Sequence, residues 1–94
     1  MGISLFYKLK KLLLMKTKPT SKEEKLYLEK LGSRLKEYRL KAGYTSYEYF
    51  AYENNISRTQ YGKYEAGGNI QFNTLIKLLK SLGVTLEDFF KGFD

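Results

Sequence analysis

Apolar residues recur every three or four positions along this chain, and glycine or asparagine residues cut the pattern into short segments. The breaks are Gly43, Asn54-Asn55, Gly67-Gly68 and Gly83. Ser21 and Glu24 form the capping box that opens the first segment, and Thr85 opens the last one. Because no segment of useful length alternates apolar and polar residues, the sequence predicts a compact all-α domain of five helices.

The starts of the first two helices are less sharply marked. Gly32 lies inside the first segment and weakens that helix by up to ~1 kcal/mol. We therefore expect the core-facing part to begin near Gly32, after a looser lead-in. In the second segment either Thr45 or Ser46 can cap the helix, and the spacing places Tyr47 on the inner face with Phe50.

The composition removes most catalytic and metal chemistry. The 94 residues suffice for one small domain, and they include no cysteine and no histidine. The chain therefore lacks disulfides, a thiolate nucleophile, a histidine general base and the usual zinc ligands. No apolar run approaches the ~20 residues that a membrane span needs. The sequence predicts neither an enzyme nor a cofactor or metal site.

Positive charge is concentrated in the first half of the chain. The formal net charge is +7, and residues 1–41 contain twelve lysines or arginines against four glutamates. Such an excess favours a polyanionic partner, either nucleic acid or an anionic membrane surface, over a merely solvated face.

Residues 1–20 are predicted to be a basic N-terminal extension and linker, with a single domain over residues 21–94. Leucines and lysines make residues 1–16 an amphipathic stretch. An interfacial membrane helix, myristoylation at Gly2 and a stretch that precedes a natural start at Met15 are the alternatives for it. Membrane contact through residues 1–16 is not favoured, and no function is assigned to them.

Two short helices joined by Asn54-Asn55-Ile56-Ser57, with one helix before them and two after, make a helix-turn-helix arrangement. Residues 31–91 resemble the lambda-repressor-like family, also called Cro-type or XRE-type. The matching segments are Leu31–Arg39, Phe50-Ala51, Ile56-Ser57-Arg58, Tyr61 to Gly67, and Leu75–Leu86. Each match is weak alone, but their order and spacing together are specific.

The resemblance implies a small cytoplasmic transcriptional regulator, repressor-like, that binds double-stranded DNA sequence-specifically as a homodimer. It also implies that the helix over residues 57–65 reads the major groove. The chain departs from the family pattern at Asn54, where a buried leucine is usual, and has one extra residue between Gly43 and Phe50. These departures alter packing rather than topology.

Base contacts are expected from the helix over residues 57–65, whose tyrosines turn inward. The candidates are Arg58, Thr59, Gln60 and Lys63. Arg58 can bond guanine through a bidentate fork, and Thr59 offers a hydroxyl and a methyl group. Gly62 is explained either by a close approach of DNA or by packing against the second helix. Without the family resemblance, the same side chains would be interpreted as an ordinary solvent-exposed helix face.

Phosphate contacts would fix the register of the protein on the duplex. The candidates are Tyr47 in the second helix and Asn69, Gln71 and Asn73 around the start of the fourth. Turn and cap chemistry explains the asparagines equally well. The resemblance further implies an ion pair between Arg39 and Glu65, which would lock the reading helix to the first helix.

Two other functions compete with DNA regulation. An antitoxin of a toxin–antitoxin pair would bind its toxin through the acidic, aromatic tail Glu87, Asp88, Phe89, Phe90 and Phe93. A single-strand binder would stack bases on exposed tyrosines such as Tyr49 and Tyr52. The second is less favoured, because the tyrosines cluster in residues 38–64 whereas the basic excess lies in residues 1–41.

Overall fold

A computed structural model describes residues 21–94 of the protein, and this part of the chain contains helices and no strand. Residues 21–94 form five helices: α1 (Lys22–Lys41), α2 (Tyr47–Glu53), α3 (Arg58–Glu65), α4 (Phe72–Leu82) and α5 (Leu86–Phe89). The predicted all-α, five-helix fold is therefore confirmed. The predicted N-terminal extension, residues 1–20, lies outside the described residues.

Side-chain caps begin four of the five helices in residues 21–94, including α3, which Ser57 caps. At α1 the capping box is complete: the Glu24 amide donates to Ser21 Oγ at 3.1 Å, and the Ser21 amide donates to Glu24 Oε1 at 3.4 Å. Ser46, not Thr45, caps α2, and Thr85 caps α5. These caps satisfy amide groups that have no partner inside their own helix, so the starts of the capped helices are fixed by local sequence.

α1 passes through Gly32 as one continuous helix of 20 residues, so the expected looser lead-in is wrong. The buried residues of α1 are Gly32, Leu35 and Arg39, which lie on one stripe of the helix. The core-facing part of α1 does start near Gly32, as predicted, but the helix is not weakened before that residue. Gly32 is buried because α3 approaches it closely.

The core draws on all five helices. Its buried apolar members are Leu35, Phe50, Ala51, Tyr61, Tyr64, Leu75, Leu78, Leu79 and Phe89. Each fully buried side chain of leucine or phenylalanine size contributes about 1.5–3 kcal/mol relative to exposure. Because α3 supplies two tyrosines to this core, its inner face is fixed and its other face is left to solvent.

Basic residues of α1 hold the C-terminal segment in place. Arg34 Nη1 donates to the carbonyl oxygens of Phe89 at 2.5 Å and Lys91 at 2.9 Å. Lys30 donates to the carbonyl oxygen of Phe93, and the Arg34 guanidinium lies 5.0 Å from the centre of the Phe93 ring. Positive groups are favourable at the end of a helix, where carbonyl groups are free. The aromatic tail is thus packed on its own chain.

Candidate nucleic-acid interface

The turn between α2 and α3 is closed by hydrogen bonds within the turn itself. Asn54 is only 5% exposed, and its side-chain amide donates to the Phe50 carbonyl oxygen at 2.9 Å. Asn55 adopts the left-handed conformation with φ 57°, and the Ile56 amide donates to the Ala51 carbonyl oxygen at 2.9 Å. Asn54 can replace the buried leucine that is usual in the family because its side-chain amide is hydrogen-bonded inside the turn. Asn55 can adopt the left-handed conformation that the turn requires.

α3 has one buried face and one exposed polar face. Ser57 caps the helix by accepting a hydrogen bond from the Gln60 amide at 3.1 Å, and Tyr61 and Tyr64 are buried. The exposed side chains are Arg58, Thr59, Gln60 and Lys63. The four residues predicted to contact bases therefore share the solvent side of one rigid helix.

A nearly buried ion pair joins α3 to α1. Arg39 Nε lies 2.7 Å from Glu65 Oε2, and Arg39 Nη2 lies 3.2 Å from Glu65 Oε1, which makes the contact bidentate. Arg39 Nη1 also donates to the Tyr44 carbonyl oxygen at 2.6 Å, and Arg39 is 3% exposed. Hydrogen bonding to Glu65 raises the pKa of Arg39 above its ordinary value. The structure thus brings together the two residues that the family resemblance pairs.

A second anchor between α1 and α3 is a backbone contact that the sequence interpretation missed. A Cβ atom at Gly32 would lie 2.5 Å from the carbonyl oxygen of Tyr64 and 2.6 Å from that of Glu65. Only glycine permits this approach, because the two facing atoms belong to the backbone of α3. The spacing from Gly32 to Arg39 was the available signal, since seven residues place both on one stripe of α1.

The residues predicted to contact phosphates lie in two places. Asn69 and Gln71 are exposed between α3 and α4, and Gln71 is the N-cap of α4 without a side-chain cap bond. Asn73 is exposed and accepts a hydrogen bond from the Thr74 amide at 2.9 Å. The side-chain amide of Gln71 therefore takes no part in capping the helix. The side chain of Asn73 does bond the backbone nearby, as the alternative of turn and cap chemistry predicted.

Tyr47 lies at the start of α2, and its predicted inner-face position is only partly correct. The residue is 38% exposed. Its ring stacks on that of Tyr61, with centroids 6.4 Å apart and planes inclined by 22°. The same ring covers Gly62, where an added Cβ would lie 3.4 Å from Tyr47 Cε2. Gly62 therefore packs against α2, as one of its two sequence explanations required.

The hydroxyl of Tyr61 is buried and, among the described residues, has no hydrogen-bond partner. The Tyr61 ring packs edge-on against Phe50 with centroids 5.3 Å apart. Burial raises the pKa of Tyr61 well above its ordinary value, and the Glu65 carboxylate raises it further. The hydroxyl thus stays protonated at neutral pH, and within residues 21–94 no hydrogen bond of good geometry offsets its desolvation.

Replacing Tyr61 by phenylalanine is expected to leave the free energy of unfolding unchanged or to raise it by about 1 kcal/mol. The reason is that a buried hydroxyl without a partner costs roughly 1–3 kcal/mol, while the ring contacts are kept. Urea denaturation of both proteins measures the difference. Tyr61→Ala is the control, with an expected loss of roughly 3–5 kcal/mol. A clear loss for Tyr61→Phe would show that the hydroxyl makes a stabilising bond.

No helix in residues 21–94 is both long enough and apolar enough to cross a bilayer. The same residues contain no group of three or more His, Cys, Asp or Glu side chains placed to hold a metal ion.

Comparison with known families identifies the class of protein to which this arrangement belongs. A family model described as helix-turn-helix, of the XRE and lambda-repressor-like type, matches residues 35–89. This range begins at the buried Leu35 of α1 and ends at Phe89, the last residue of α5. No curated protein and no solved structure matched the chain.

The chain belongs to the lambda-repressor-like helix-turn-helix family, as the sequence resemblance predicted. The family is one of DNA-binding helix-turn-helix regulators. The family match therefore supports DNA as the partner of this chain.

Proposed function

We propose that this protein is a repressor-like transcriptional regulator that recognises a specific double-stranded DNA sequence by inserting α3 into the major groove. The observation that carries the proposal is the exposed polar face of α3 on a helix fixed to the scaffold at Gly32 and Arg39. A helix that reads base edges must be held in one orientation, because discrimination depends on directional hydrogen bonds. Buried anchors on one side and free polar groups on the other meet that requirement.

Each exposed side chain of α3 would make a different contact with the DNA bases. Arg58, at the first turn, can form a bidentate contact with guanine O6 and N7, and Lys63 can donate to the same atoms less directionally. Thr59 offers a hydroxyl to either kind of base pair and a methyl group to thymine. Gln60 lies on the edge of the face and can bond adenine or a phosphate.

Contacts to the DNA backbone would come from outside α3. Asn69, Gln71 and Asn73 flank the start of α4, and amides of this kind bond phosphate oxygens without reading sequence. The exposed Gln71 amide is the strongest of these candidates, since it makes no cap bond. The lysines of residues 1–41 would add salt-dependent attraction.

The DNA-binding domain is assigned to residues 21–94. Its first residue, Ser21, caps α1. Its last residue, Asp94, accepts a hydrogen bond from the Tyr27 hydroxyl at 2.5 Å. Both ends of this range therefore take part in its structure. Homodimerisation is proposed because one copy of α3 spans only a half-site, and two-fold proteins match symmetric operators.

Selection of bound duplexes from a random library tests the function directly. A recovered consensus of two half-sites, spaced by about 10 base pairs or a multiple, is the expected result for a dimer of this type. Recovery of no consensus from correctly folded protein would contradict sequence-specific binding. Equal recovery of single strands and duplexes would instead favour the single-strand binder.

Arg58→Ala is expected to relax the consensus at one base pair in each half-site, because a bidentate guanine contact is worth ~1–3 kcal/mol of discrimination. Lys25→Ala, on the exposed part of α1, is the control. It should weaken all duplexes by the same factor or not at all, since phosphate neutralisation carries no sequence information. Titrations of consensus and random duplexes at one fixed salt concentration measure both. An equal loss on both duplexes for Arg58→Ala would remove Arg58 from the base-reading set.

The antitoxin alternative stays a prediction, but the segment on which it rested is already engaged. Phe89 is fully buried in the core. The ring of Phe93 packs on those of Phe89 and Phe90, with centroids 6.3 Å and 4.9 Å away. A toxin would have to displace these contacts before it could use the aromatic side chains of the tail.

A further inference from the structure

The exposed face of α3 has a gap at Gly62, and a side chain from another helix fills it. A Cβ atom at Gly62 would lie 3.4 Å from Cε2 of Tyr47, and 3.8 Å from both its Cζ and its hydroxyl oxygen. The Tyr47 ring is held there by its stack on Tyr61. The phenol of α2 thus occupies the space into which a side chain longer than that of alanine would project from residue 62.

Gly62 lies on the part of α3 that faces the groove in the proposed complex. It follows Arg58 by four residues, which places both on the same side of the helix one turn apart. It also precedes Lys63, whose side chain is exposed. A group held at Gly62 is therefore flanked by two of the residues proposed to contact bases.

The hydroxyl of Tyr47 is available for a new hydrogen bond. Tyr47 is 38% exposed, and its hydroxyl makes no hydrogen bond to any residue in the described range 21–94. By contrast, the hydroxyls of Tyr44 and Tyr49 donate to Glu53, at 2.8 Å and 3.4 Å. Tyr47 differs from them in having no carboxylate partner and in lying against α3.

We propose that Tyr47 is a specificity-determining residue that reads a base edge in place of the side chain that Gly62 lacks. The proposal rests on the proposed function, and it replaces the phosphate contact predicted for Tyr47 from its place at the start of the second helix. A phenol hydroxyl both donates and accepts, so it can bond the N7 or O6 of guanine or the exocyclic amines of adenine and cytosine. The edge of the ring can also contact the methyl group of thymine.

The geometry limits which base pair Tyr47 reads. The four residues from Arg58 to Gly62 rise about 6 Å along α3, and successive base pairs are about 3.4 Å apart. The position read by Tyr47 therefore lies within about two base pairs of the position read by Arg58. Loss of preference at that neighbouring position is the specific mark of the proposed contact.

Tyr47→Phe tests the proposal, because it removes the hydroxyl and keeps the ring on Tyr61 and Gly62. Tyr52→Phe is the matched control: Tyr52 lies on the same helix, is 79% exposed, and makes no hydrogen bond through its hydroxyl within residues 21–94. Duplex selection from a random library is carried out with the wild type and both variants. Thermal melting shows that each variant is folded.

We expect the wild type and Tyr52→Phe to return the same consensus. Tyr47→Phe should lose about three- to tenfold of its preference at a single base pair per half-site, the range for one hydrogen bond, with other positions unchanged. An equal loss on consensus and random duplexes would make Tyr47 a phosphate contact and overturn the proposal, as would an unchanged consensus. If the wild type itself returns no consensus, the proposed function fails, and the Tyr47 proposal fails with it.

Discussion

Replacing Gly32 by alanine is expected to destabilise the protein by roughly 1–3 kcal/mol, although alanine is the better helix former. The added Cβ would stand 2.5 Å from the Tyr64 carbonyl oxygen and 2.6 Å from the Glu65 carbonyl oxygen. Neither atom can rotate away, because both belong to the backbone of α3, so α1 and α3 must separate. Urea denaturation measures the loss. The same shift of α3 should weaken binding to the DNA consensus.

Gly62→Ala is the control for this prediction, since Gly62 also lies in a helix interior. There the added Cβ meets only the ring of Tyr47, at the ordinary contact distance of 3.4 Å. Helix propensity then decides the sign, and Gly62→Ala should be neutral or more stable by up to about 1 kcal/mol. If Gly32→Ala proved as stable as Gly62→Ala, the close approach of α1 to α3 would be wrong.

The helix limits could be predicted because their signals are local in sequence. Ser21 and Glu24 are three residues apart, and each bonds the backbone of the other. Thr85 bonds the amide of Asp88, again three residues away. Such contacts form whatever the rest of the chain does, so pattern and spacing predict them. The breaks at glycine and asparagine are local in the same sense.

The contacts that orient α3 join residues far apart in the sequence, and the sequence pattern did not predict all of them correctly. Gly32 lies against the backbone of Tyr64, which is 32 positions later in the sequence. Local helix propensity therefore predicted a weak point in α1 where the structure has a close contact between two helices. Tyr47 was assigned to an inner face by spacing, yet its position is set by packing on Tyr61 and Gly62. Neither approach follows from periodicity, since a period reports which side of a helix is buried and not what it is buried against.

The candidate site was predicted at two levels. Burial of the α3 tyrosines followed from spacing, and that burial leaves the neighbouring polar side chains exposed. The roles of Arg58 and Lys63 came from the family resemblance, and they stay predictions. The Arg39–Glu65 pair also came from the resemblance, as two charged residues 26 positions apart carry no local signal.

Arg39→Ala is expected to lower the free energy of unfolding by roughly 3–5 kcal/mol, the range for removing one partner of a buried ion pair. The loss is large because two acceptors lose their donor. The Glu65 carboxylate, whose side chain is 12% exposed, keeps its charge without a partner, and the Tyr44 carbonyl oxygen loses its 2.6 Å bond. Thermal and urea denaturation both measure this change.

Lys41→Ala is the control on the same helix. It removes an exposed ion pair, so comparing it with Arg39→Ala shows how much of the loss depends on burial of the pair. Lys41 Nζ lies 3.1 Å from Glu37 Oε1, but the two side chains are 63% and 52% exposed, so the expected loss is below about 1 kcal/mol. Arg39→Lys should fall between the two, since an ammonium group keeps the charge but cannot make the bidentate contact and also reach the Tyr44 carbonyl. A double variant that removes Glu65 as well should recover part of the stability lost in Arg39→Ala, because no uncompensated charge then stays buried. Equal, small losses for Arg39→Ala and Lys41→Ala would show that the pair does not anchor α3 to α1.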